Sequence, residues 1–72
     1  MEPLVKPKKY PEIEVMFPPG ISRNDAAKLV SRALREAGIE QKQINRYQVE
    51  SIKALGYIAA MRVAMEWVTV KT

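Results

Sequence analysis

The sequence predicts a mainly α-helical domain (small α+β), with two principal helices and one or two short strands. Three features carry this. Apolar residues recur with a helical period over 25–37 and again over 51–67, and a short run at 12–17 alternates before Pro-Pro-Gly. At 72 residues the chain is near the lower limit for a domain that folds alone, so it is read as one small domain, 12–72, preceded by an arm, 1–11. With no cysteine, disulfides and thiolate zinc sites are excluded, and with no histidine the commonest metal ligand is gone too. Association is the remaining route to added stability.

In the arm, Pro3, Pro7 and Pro11 alternate with Lys6, Lys8 and Lys9, which predicts an extended, flexible basic segment. Ile13, Val15 and Phe17 then fall on one face of a strand over 12–17, ended by Pro18, Pro19 and Gly20. Ser22 or Asn24 caps the first helix, with Asp25 in its first turn. Ala26, Leu29, Val30, Ala33, Leu34 and Ala37 form its apolar face, and Lys28, Arg32 and Arg35 lie opposite. Gly38 supplies the left-handed residue that stops it, and Ile39 the apolar contact that follows.

Residues 40–47 read as a short helix or as the start of a longer one. From Ser51 to Trp67 the pattern is helical and apolar nearly all round, which predicts burial on most sides. Gly56, Ala60 and Ala64 are four apart and permit close approach of another backbone, so Ile52, Gly56, Ala60, Val63, Ala64 and Trp67 are expected at a homodimer interface. Arg62 and Glu66, one turn apart, are expected to pair. Residues 67–71 suit either the helix end or a second strand beside 12–17.

The net charge of +4 is concentrated in the middle of the chain. Residues 21–46 hold Arg23, Lys28, Arg32, Arg35, Lys42 and Arg46 against Asp25, Glu36 and Glu40, a local +3. A basic patch of this kind is the electrostatic footprint of nucleic-acid binding, and it also occurs on proteins that bind none. Enzyme chemistry is not expected. Ser22, Ser31 and Ser51 lack a histidine to activate them, Glu12 and Glu14 read as solvated acids, and Gly20, Gly38 and Gly56 are too far apart to cradle a phosphate. No catalytic residue, cofactor or metal is expected. The N-terminal stretch has no apolar run suited to a signal peptide, and Arg62 and Glu66 interrupt the longest apolar segment, so a soluble cytoplasmic protein with no membrane role is expected.

The segment ALREAGIEQKQINRYQ, residues 33–48, resembles the helix-turn-helix of phage Cro and repressor proteins. Gly38 takes the turn position, Ile39 and Ile44 the apolar positions after it, and Ala33, Ala37 and Tyr47 the other inward places. Leu34 stands where that family carries a small residue. The resemblance implies a DNA-binding regulatory protein with duplex DNA as partner. Gln41, Lys42, Gln43, Asn45 and Arg46 would face the groove, and Lys28, Arg32 and Arg35 the phosphates. The same residues also suit an ordinary αα-hairpin, in a homo-oligomeric interaction module with no nucleic-acid role. The strand–helix–helix order further resembles ribbon-helix-helix dimers, but Glu12, Glu14 and Met16 would then face the DNA, and acids facing phosphates are unfavourable.

Overall fold

The computed structural model describes residues 8–71, in the order β1 (Tyr10–Met16), α1 (Arg23–Glu36), α2 (Gln41–Lys53), α3 (Tyr57–Trp67) and β2 (Val68–Lys71). The fold is mainly helical with two short strands, as the periodicities predict. Most of the expected arm, residues 1–7, lies outside the described residues.

β1 begins at Tyr10, two residues before the expected strand, despite Pro11. The proline is accommodated because the pairing with β2 is irregular between Tyr10 and Glu14, where a missing N–H is not needed. The Thr69 hydroxyl instead donates to the Pro11 carbonyl at 2.7 Å. Ile13, Val15 and Phe17 all turn inward and are buried. Val68–Lys71 is strand, and it pairs with β1 in parallel, with Val15 opposite Val70 and Met16 opposite Lys71. Parallel neighbours require a crossover, and here the crossover is the three helices.

Ser22 caps α1, its hydroxyl accepting from the Asp25 N–H at 3.1 Å. The helix ends in a Schellman turn: the Gly38 N–H donates to Arg35 O and the Ile39 N–H to Leu34 O, both at 3.0 Å, with Gly38 at φ 82°. Ala26, Val30 and Leu34 are buried and Leu29 and Ala33 partly so. Ala37 is exposed, contrary to its inward assignment: it is the C-cap, still helical with its N–H on the Ala33 carbonyl, but it lies past Leu34, the last buried residue of α1.

The single helix expected over 51–67 is two helices. α2 stops at Lys53, Ala54 is extended, and Gly56 precedes α3 at φ 96°, ψ 171°. That conformation is essentially restricted to glycine, so Gly56 marks a corner rather than a close helix contact. The apolar composition is continuous across the corner, which hides it from a periodicity argument.

The core closes on Trp67, which is fully buried. Its indole N–H donates to the Glu50 carboxylate at 3.1 Å, tying α3 to α2. The Tyr47 ring meets it edge-on at 5.7 Å, the Tyr10 ring lies 6.0 Å away, and the Lys9 ammonium sits 4.0 Å above its face. Burial pushes the Tyr47 phenol up to about 12, against a smaller lowering by its hydrogen bond to Ser51.

Candidate nucleic-acid interface

Residues 37–40 turn the chain so that α1 and α2 run antiparallel as a hairpin. The Gln48 amide donates to the Ser31 hydroxyl at 3.1 Å between them. At the open end the Arg23 guanidinium donates to the carbonyls of Ser51, at 2.7 Å, and Ala54, at 3.0 Å. These carbonyls lie at the C-terminal end of α2, where that of Ser51 also accepts from the Ala54 N–H at 3.2 Å and the negative end of the helix dipole favours a cation. Arg23 is therefore engaged within the fold.

Between the helices runs an open groove of about 520 Å³, lined by Arg23, Lys28, Arg32 and Arg35 and by Asn24, Gln48 and Ile52 among others. Three of the four cations are exposed, and all come from α1. The sequence assigned Lys28, Arg32 and Arg35 to one solvent face, and the structure gathers them on one wall. Arg32 also meets Glu36 at 3.4 Å, an exposed i,i+4 pair of little energetic weight.

α2 has two outward stripes, exposed except at the half-buried Gln48. Gln41, Asn45, Gln48 and Ile52 recur at i, i+4, i+7 and i+11, and the last two of them line the groove. Lys42, Arg46, Val49 and Lys53 recur in the same way one step round the helix and are all exposed. The Gln41 amide donates to Asn45 at 2.8 Å, which orients both side chains on the exposed stripe. Gln43 is different. It is half-buried, seven residues before Glu50 and on its flank, away from the stripe it was expected to share.

Two acids are drawn away from this surface. Glu50 is bonded to Trp67 on the far side of α2, and Glu14 pairs with Lys71 at 3.0 Å on the sheet. The ion pairs among the described residues are that one and Arg32–Glu36, so the expected Arg62–Glu66 pair does not form.

The expected dimer residues separate into two groups. Ala60, Ala64 and Trp67 are buried in this chain's own core and Val63 packs against it, so the 51–67 face is spent within the fold. Ile52 and Gly56 are exposed. The reason is the corner, which turns α3 back onto α1 and α2. What the sequence reading missed is an apolar apex: Ile52 is 78% exposed, Leu55 93% and Ile58 68%. The signal was Gly56 itself, as a possible turn inside an apolar run.

Among the described residues no group of three or more acidic, cysteine or histidine side chains gathers as a metal site. None of the helices there is long and apolar enough to cross a membrane. Set against known proteins, the chain matches no family model, no curated protein and no solved structure.

Proposed function

We infer that this protein binds duplex DNA through the α1–α2 hairpin, as a small regulatory protein of the cytoplasm. One observation carries the reading: Lys28, Arg32 and Arg35 line one wall of a groove to which α2 contributes Gln48, Ser51 and Ile52, at one end of the stripe that also bears Gln41 and Asn45. Cations in a row neutralise phosphates and release counterions, which supplies affinity, while Gln and Asn can bond base edges bidentately. Gln41 and Asn45 are the base-reading candidates on this view, and Lys42 and Arg46 extend the positive surface. A titration of duplex DNA across ionic strength tests it. Lys28→Ala and Arg35→Ala should each reduce the salt slope by about 1. Binding that is absent at low salt ends the proposal.

A second reading, a homo-oligomeric module with no nucleic-acid role, is favoured by the exposed Ile52, Leu55 and Ile58. Sedimentation separates the two. A concentration-dependent dimer that ignores DNA at low salt supports the module, and a monomer that binds DNA removes it.

A further inference from the structure

We propose that the corner between α2 and α3 is an apolar wedge that enters the DNA at a base step and kinks it. This rests on the DNA-binding reading and names the way the bound duplex is deformed. Leu55 lies within the corner at residues 54–56, almost wholly in solvent, with Ile52 and Ile58 three residues to either side. Exposed aliphatic side chains on a turn lower stability by themselves and find no partner elsewhere in the described fold.

Position decides what covers them. Ile52 lines the cationic groove, so the apex and the basic surface are continuous. Exposed Lys53 precedes the turn, and the groove that Ile52 lines carries the exposed Lys28, Arg32 and Arg35. An occupant that meets the tip and these cations together must carry negative charge outside and an apolar layer inside. Phosphates flanking stacked bases have that order, and Leu and Ile are among the side chains that unstack a step and bend the duplex.

The other occupants fit less well. A second copy seated on the apex would bring two like-charged grooves together. A lipid surface favours aromatic side chains at the headgroup level. The nearest such residue, Tyr57, has its hydroxyl turned back to the Ile21 carbonyl at 2.7 Å. A wedge must also resist being pushed aside. Here Arg23 holds the last turn of α2 from below, and the Tyr57 hydroxyl ties the first residue of α3 to the Ile21 carbonyl.

The test is energy transfer across a short duplex labelled at both ends and containing a central TA step, which unstacks readily. The full chain should bend it by at least about 20°. Leu55→Ala and the double variant Ile52→Ala/Leu55→Ala should lose the bend, weaken binding by less than about tenfold, and keep the salt slope, since no phosphate contact is removed. Binding with no bend, or a bend that survives both variants, overturns the wedge and leaves the DNA reading standing. Failure to bind DNA at low salt overturns both. Capture by vesicles containing phosphatidylserine, or dimerisation abolished by Leu55→Ala, with DNA left unbent, assigns the apex to lipid or to a second copy and overturns the wedge.

Discussion

The Arg23 guanidinium donates to the carbonyl of Ala54 across 31 residues of chain, at 3.0 Å, and to that of Ser51 at 2.7 Å. One side chain from the start of α1 thus ends α2. Replacing it with alanine leaves two helix-terminal acceptors without their charged donor. Arg23→Ala should lower stability by about 1.5–3 kcal/mol in urea unfolding, the range for hydrogen bonds to a charged group. Amide exchange at residues 54–56 should accelerate more than in α1. Stability within about 0.5 kcal/mol of the parent would show that the clamp is dispensable.

Gly56 and Gly38 both have positive φ, at 96° and 82°, and a Cβ would meet no atom within 4 Å at either. Any cost of alanine is therefore backbone strain alone. Gly38 lies in the left-handed helical region, which other residues enter at modest cost, whereas Gly56 at ψ 171° does not. Gly56→Ala should destabilise by about 1–3 kcal/mol and Gly38→Ala by less, of order 1 kcal/mol. Equal losses in parallel thermal melts would contradict the assignment of the corner.

Tyr47 predicts an alkaline limb. Its phenol rises from 10.0 to about 12 in the fold, so the neutral form is favoured there. The associated stability is fully present below pH 10 and is lost as pH rises towards 12. Two pKa units correspond to about 2–3 kcal/mol. Tyr47→Phe should flatten the fall in stability between these pH values, because the replacement does not ionise. A limb of unchanged slope would assign it to other groups.

The flanks of α2 distinguish amides that were equivalent in the sequence. Gln41 and Asn45 share the exposed stripe, and Gln43 is half-buried behind it. In a DNA titration Gln41→Ala or Asn45→Ala should weaken preferred-site binding by about 1–3 kcal/mol. Gln43→Ala should leave it nearly unchanged. The reverse order would mean that DNA meets another face.

Local chemistry made much of this fold legible. A cap at Ser22 or Asn24, Gly38 as stop and the inward set Ile13, Val15 and Phe17 follow from rules that act over a few residues. The corner at 54–56 was not legible by period, since the apolar run continues through it and only the conformation of Gly56 interrupts it. Nor was the fate of Ala60, Ala64 and Trp67. Small and aromatic residues at helical spacing serve a partner or the chain's own core equally well, and only the return of α3 onto α1 and α2 decides. Of the site, the cations on α1 were assigned by spacing. The burial of Gln43 depends on Trp67 and Glu50 holding the far flank of α2, a long-range matter.

The parallel pairing of β1 with β2 also orders events in time. Residues 10–16 can find their hydrogen-bonding neighbours only after the whole helical segment and residues 68–71 have left the ribosome. The α1–α2 hairpin, built on local contacts, has no such wait. Closing a loop over that span is the costliest chain-ordering step in the fold and slows folding relative to a helical bundle of equal size.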